Sequence, residues 1–315
     1  MWARKRKETR MSELSMDDLM FRPGLMKGQR ILITGGGTGL GKVMAEACVM
    51  LGAQVYIWGR RGSVIAETAK ELTDAHGALA GGRCTGIACD IRVPEAIHDA
   101  MDEVWVGGAL TGLVNNAAGN FISRTEDLSP KGFDAIANIV FRGSFFVTLD
   151  AGKRWLAEGK HASVVSILTT WVWNGGPFTV PSAMSKAGLN VMTQSLAVEW
   201  GNRGVRFNAI APGPFPTEGM SARLNPGGGG MLGEADPTIP LNRNGEMREL
   251  ANLAVYLLDP GSAYVNGQTI AIDGGSHLKG GGGFARLAEW GDAEWEQARN
   301  AIRATNEKDR AQRTV

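Results

Sequence analysis

The run Ile31-Leu-Ile-Thr34 passes without a break into Gly35-Gly-Gly-Thr-Gly-Leu-Gly41, and apolar residues at helical spacing continue to Leu51. A strand that turns at once into a helix leaves the chain few options. Gly35, Gly39 and Gly41 let the backbone turn tightly, and the helix start presents unpaired N–H groups at the positive end of its dipole. The spacing predicts a loop that lets a pyrophosphate approach the backbone, as in dinucleotide-binding βαβ units. A merely structural turn is the alternative.

The rest of the chain keeps the same rhythm. Short apolar, β-branched runs stand at 30–34, 54–58, 85–89, 110–115, 162–168, 205–210 and 268–272. Helical spacing marks the intervals 41–51, 63–72, 133–156 and 182–200. Strands alternating with helices imply right-handed βαβ crossovers and a parallel sheet covered on both faces. The fold class is therefore α/β, a doubly wound, parallel, seven-stranded Rossmann-type sheet forming a single domain over 28–275, with a C-terminal helical tail.

Three segments fall outside that rhythm. Residues 1–27 carry basic and acidic side chains without the apolar stretch of a secretory signal, and are expected to be a disordered lead-in, with Met11 as an alternative start. The glycines of 225–230 predict a mobile lid around 215–240. Gly280–Gly283 leads into a tail over 276–315, in which Trp295, Ala298 and Ile302 share one helix face; it is either a surface helix or an arm for a neighbouring subunit.

Composition narrows the function. With 33 Lys+Arg against 32 Asp+Glu, the chain lacks the basic footprint of a nucleic-acid binder. Cys48, Cys84 and Cys89 are odd in number and without metal-ligand spacing, and the four histidines are scattered, so neither a disulfide frame nor a metal site is expected. No apolar run of membrane-spanning length stands out, so a cytoplasmic protein without a membrane partner is expected.

The second strand bears on the nucleotide. Where an acid would hydrogen-bond the adenosine ribose, the chain reads Trp58-Gly59-Arg60-Arg61. Two guanidinium groups suit a 2′-phosphate by charge and fork geometry, which favours NADP(H) over NAD(H). The alternative is that both arginines only solvate a loop.

Thr34–Gly41, Asp90, Asn115-Asn-Ala-Ala-Gly119, Lys186 and Pro212-Gly-Pro214 resemble, in this order, the motifs of the short-chain dehydrogenase/reductase family. The resemblance spans about 28–275. It implies that Thr34, Gly35, Gly37, Thr38, Gly39, Leu40 and Gly41 cradle the dinucleotide, that Asp90 and Ile91 lie at adenine, and that Asn116 and Ala117 run along the ribose. It also implies that Lys186 holds the nicotinamide ribose and that Pro212, Gly213, Pro214 and Phe215 pass its carboxamide. The family is usually tetrameric through two long helices, so a homotetramer is expected.

Most members of that family carry a tyrosine four residues before the lysine, whose phenol exchanges a proton with the substrate oxygen. Here Ser182 stands at that place, and none of Tyr56, Tyr256 and Tyr264 has a lysine four residues on. A serine hydroxyl is too weak an acid to replace the phenol. The 2,4-dienoyl-CoA reductase branch shows this substitution, and the chain is similar to it in Asn115–Phe121, Phe178–Gly188, Pro212–Phe215, Thr217, Gly219 and Ser221–Leu224.

That resemblance implies an NADPH-dependent reductase of conjugated acyl-CoA thioesters in fatty acid metabolism. Hydride would go to the far end of the conjugated system, and donors at the thioester oxygen would stabilise the dienolate. It assigns the oxygen to Asn120 and to a tyrosine whose place is taken by Trp171. Indole donates a hydrogen bond but is no usable acid. Thr169, Thr170 and Ser182 are the other candidate donors, and Trp171 is otherwise an apolar wall; Asn120 is otherwise a turn residue. The resemblance also places Arg92, Phe121, Ser129 and Arg223 at the acyl-CoA, while Arg142 receives no role. A carbonyl or alcohol oxidoreductase with a non-tyrosine proton donor, and a catalytically silent NADP-binding protein, are the competing readings.

Overall fold

Ile31 and Ile33 face one side of their strand and Leu32 the other, and all three are fully buried. That is the signature of a strand covered on both faces. In the computed structural model, which describes residues 14–217, 239–279 and 285–311, this strand, β1 (Arg30–Thr34), belongs to a sheet of seven parallel strands. The others are β2 (Gln54–Gly59), β3 (Arg83–Ala88), β4 (Gly112–Asn115), β5 (Ala162–Ile167), β6 (Val205–Pro212) and β7 (Thr269–Ile272). Their order is β3-β2-β1-β4-β5-β6-β7. The order reverses between β1 and β4, so a crevice opens at the carboxyl ends of those two strands.

Helices α1 (Gly39–Met50), α2 (Gly62–Ala80) and α8 (Met247–Leu258) cover one face, packing Val43, Leu72 and Leu250 against Ile31, Val114 and Val165. Helices α3 (Pro94–Trp105), α5 (Ser144–Glu158) and α7 (Val180–Glu199) cover the other. The remaining α-helices among the described residues are α4 (Pro130–Ala137), the single turn α6 (Trp171–Asn174) and α9 (Asp292–Ala311) in the tail. The seven expected strands are present, with ends displaced by up to two residues.

The helical spacing over 133–156 holds: α4, a π turn at Asn138–Gly143 and α5 run on as one helix, Pro130–Glu158. A glycine at 143 lets this turn lie on the loop after β3, since a Cβ there would come within 2.8 Å of Ile91. The lead-in expected to be disordered is, from residue 14 onward, part of the core. Leu14, Leu19 and Met26 are buried, and Met16, Phe21 and Leu25 pack beside them. Asn252 of α8 accepts from the Met20 N–H and donates to the Asp18 carbonyl, each at 2.8 Å. The charges between those apolar residues disguise a strap that fills the groove between α1 and α8. Residues 1–13 and most of the expected lid, 218–238, lie outside the described residues, as do 280–284 of the linker.

The run Pro130–Glu158 has the length and mean hydropathy of a membrane span, but a third of its most apolar window is buried. It packs on α7 and the sheet, so it reads as a core helix with one apolar side left outward.

Candidate active site

The glycine loop sits where the strand order reverses. Gly35 has φ +68°, and a Cβ on it would stand 2.9 Å from the Ala117 Cα; a Cβ on Gly41 would stand 2.4 Å from the Gly35 carbonyl oxygen. No other residue fits either place. The Thr34 hydroxyl accepts from the N–H groups of Asn116 and Ala117 at 3.1 Å, and the Asn116 amide donates to the carbonyls of Thr34 and Gly35 at 3.0 and 3.2 Å. These bonds tie the loop to the end of β4. Thr217 arches over Gly39, so the segment after β6 returns to the same loop.

A cleft of about 610 Å³ opens beside it, lined by Gly35, Gly37, Thr38, Arg60, Arg61, Asp90, Ile91, Arg92 and Ala117 among others. Leu40 is half-buried against the core below the cleft. Arg60 and Arg61 are exposed, with no ion pair among the described residues. The cradle of close-packed glycines, the helix start and the two unpaired guanidinium groups fit a phosphorylated dinucleotide.

Asp90 is gripped by Arg92, whose Nε lies 2.9 and 3.0 Å from the two carboxylate oxygens and whose Nη2 lies 2.5 Å from one of them. The Arg92 bonds hold the Asp90 carboxyl below its usual range. Arg142, from the π turn, donates to the Arg92 carbonyl at 2.9 Å and lies over the Phe146 ring. Sequence reading gave Arg142 no part; only the π turn brings it here.

On the other side of the loop, Lys186 on α7 is buried, and its Nζ donates to the carbonyl of Ile167 at the end of β5. Burial pushes its pKa down to about 8. One turn earlier Ser182 is also buried, yet its hydroxyl has no hydrogen-bond partner among the described residues. Thr169 and Thr170 lead from β5 into α6, where Trp171 is half-buried with its indole lying on Gly176. The Ser123 N–H donates to the Phe178 carbonyl at 2.9 Å, which closes the loop carrying Asn120 against the segment between α6 and α7. Asn120 accepts from the Phe121 N–H at 2.9 Å, leaving its NH₂ without a partner among the described residues.

The outer candidates divide. Phe121 packs with Val172 on the cluster of Ile136, Leu168 and Leu189. Ser129 is exposed and caps α4, accepting from the Gly132 N–H at 3.1 Å. Arg223 lies outside the described residues. Gly213 is bonded to β7 through the Ile272 carbonyl, and the Gly245 N–H donates to Pro214. The Phe215 ring is buried against Gly245 and lines a second cavity, of about 490 Å³.

Residues 35–277 match the family model described as enoyl-(acyl carrier protein) reductase. The chain belongs to the short-chain dehydrogenase/reductase family. It is 42% identical over 91% of its length to an uncharacterised oxidoreductase of Caenorhabditis elegans, covering 92% of that protein. It is 41% identical over 93% of its length to a protein of the same organism named "Probable 2,4-dienoyl-CoA reductase", (3E)-enoyl-CoA-producing, covering 95% of it. Among solved structures, the citronellol catabolism dehydrogenase of Pseudomonas aeruginosa is 34% identical, with TM-score 0.71, over 82% of this chain and 99% of that one. As a short-chain dehydrogenase/reductase the chain is an oxidoreductase that binds a nicotinamide dinucleotide.

Proposed function

We propose that this enzyme is an NADPH-dependent reductase of conjugated acyl-CoA thioesters, of the 2,4-dienoyl-CoA reductase type. The observation that carries the reading is a site without a phenol. The chain's three tyrosines are Tyr56 on β2, Tyr256 on α8 and Tyr264 on the surface turn after it. Ser182 stands one turn before Lys186 on α7, and its hydroxyl has no hydrogen-bond partner among the described residues. The relative named above, similar over nearly its whole length, supports the substrate class.

When bound, the dinucleotide supplies a hydride. The chain's own residues then have three tasks. Gly35–Gly41, Asn116 and Lys186 hold the dinucleotide, with Arg60 and Arg61 taking the 2′-phosphate and Asp90 and Ile91 the adenine. The Asn120 NH₂ donates to the thioester oxygen as negative charge builds there, and the indole N–H of Trp171 or the hydroxyls of Thr169 and Ser182 complete the set. A donor of this kind is worth about 3–4 kcal/mol in the transition state. Protonation at carbon follows from water. Arg92, Phe121, Ser129 and Arg223 are assigned to the acyl-CoA.

The proposed assembly is a homotetramer. Phe133, Phe141 and Phe145 from the α4–α5 run and Met184, Val191 and Val198 of α7 are exposed, and the Phe141 ring lies on Gly188 of α7, so one apolar face spans both helices. The proposed compartment is the cytoplasm, supported by three buried free thiols.

Following NADPH absorbance with a 2,4-dienoyl-CoA, a 2-enoyl-CoA and a panel of ketones tests the reading. Oxidation with the dienoyl thioester is expected; oxidation with ketones alone overturns it. That second outcome would favour a carbonyl reductase in which the free Ser182 hydroxyl and Thr169 hold a proton-delivering water.

A further inference from the structure

Helix α6 is a single turn of four residues, too short to hold its own shape. It follows Thr169 and Thr170 and carries Trp171, so whatever fixes it also fixes one wall of the substrate side. On one side it packs on α7. On the other, the Trp173 indole is stacked on the His277 imidazole, ring centres 4.7 Å apart and planes inclined by 29°.

His277 belongs to the 3₁₀ turn Ser276–Leu278 that follows β7, about a hundred residues further along the chain. Its ring is held by Asp273, which is buried. The Asp273 carboxylate accepts from the His277 Nδ1 at 2.8 Å, the His277 N–H at 2.8 Å and the Gly275 N–H at 3.0 Å. Burial alone would raise the Asp273 pKa; the bonds from His277 and Gly275 outweigh it and hold the carboxyl below its usual range. The imidazole is therefore a plate anchored to the end of the sheet, while Trp173 remains 46% exposed and has its ring contact on that plate.

We propose that His277 is a positioning residue for the acyl substrate: anchored by Asp273, its ring fixes Trp173 and so sets the distance of the Trp171 wall from the conjugated chain. The substrate arm of this inference rests on the conjugated-thioester reading; the brace itself does not. A flat conjugated chain beside an indole needs that ring at a set depth, and a one-turn helix without a brace would let it drift. The nucleotide cleft lies on the other side of the glycine loop and shares no residue with this contact.

The test uses the full-length enzyme with His277→Ala, His277→Phe, Trp173→Ala and the His277→Ala/Trp173→Ala pair. His277→Ala and Trp173→Ala are each expected to raise KM for the acyl thioester about fivefold, the scale of one stacked ring pair. The NADPH KM should stay within about twofold. The double variant should be no worse than either single one, because both remove the same contact. His277→Phe keeps a ring face but loses the bond to Asp273, so it should restore the KM only in part. Equal rises in both KM values, or additive losses in the double variant, would overturn the proposal. Amide hydrogen exchange gives a reading independent of substrate: His277→Ala should speed exchange in 170–177 and leave α1 unchanged. Failure of the dienoyl assay with this local exchange intact would condemn the substrate assignment and not the brace. Unchanged exchange would sink the brace itself.

Discussion

The Lys186 ammonium reaches across the end of the sheet to the carbonyl of Ile167, and both residues are buried. Burial lowers the pKa from 10.5 to about 8, so the cation becomes neutral within the working range of an ordinary assay. If the ammonium holds the nicotinamide ribose, kcat/KM for NADPH, which reports the free enzyme, should fall as pH rises through about 8. Stability moves the other way. Between about 8 and 10.5 the unfolded chain binds more protons than the folded one, so this lysine's share of stability rises with pH. Three buried thiols, raised from 9.0 to about 12, lose stability with pH in both proteins. Chemical denaturation across that window should therefore show the wild type gaining on Lys186→Met rather than an absolute rise.

Arg60 lines the cleft with no carboxylate paired to it among the described residues. Replacing it with alanine should raise the KM for NADPH about tenfold or more, as for loss of a charge-assisted hydrogen bond, and leave that for NADH nearly unchanged. Steady-state kinetics with both cofactors decide the matter. Equal effects would remove the 2′-phosphate assignment.

Asn120 spends its carbonyl oxygen on the Phe121 N–H, and its amide donor has no partner among the described residues. Asn120→Ala should lower kcat and kcat/KM together by about 100-fold, as expected when the bond forms chiefly in the transition state. A change confined to KM would make it a ground-state binding residue.

The contact between Gly41 and the Gly35 carbonyl leaves no room for a methyl group. Gly41→Ala should abolish measurable NADPH binding by fluorescence titration. Gly62→Ala, where a Cβ meets its nearest neighbour at an ordinary 3.6 Å, should bind normally.

Asn252 pins the strap through two backbone bonds. Asn252→Ala should cost about 1–3 kcal/mol of stability, the price of unpaired backbone groups, with NADPH KM unchanged. Thermal denaturation beside a kinetic assay separates the two effects.

The strand-loop-helix of β1 and α1, the arginines after β2 and the serine before Lys186 could all be read from the chain. Each is a local pattern, in which neighbours in sequence are neighbours in space: a turn that only glycine can make, a strand buried on both faces, a side chain one helical turn from another. The strap is not legible in the sequence because its burial depends on a groove between α1 and α8, which lie some two hundred residues apart. The contacts of Arg142 and His277 are equally hidden: Arg142, in the π turn, meets Arg92 fifty residues away, and His277 follows β7 while its partner Trp173 follows β5, two strands off. Local sterics and periodicity are written in the order of residues. Which distant side chains meet is decided by how the elements pack, and that packing exists only in three dimensions.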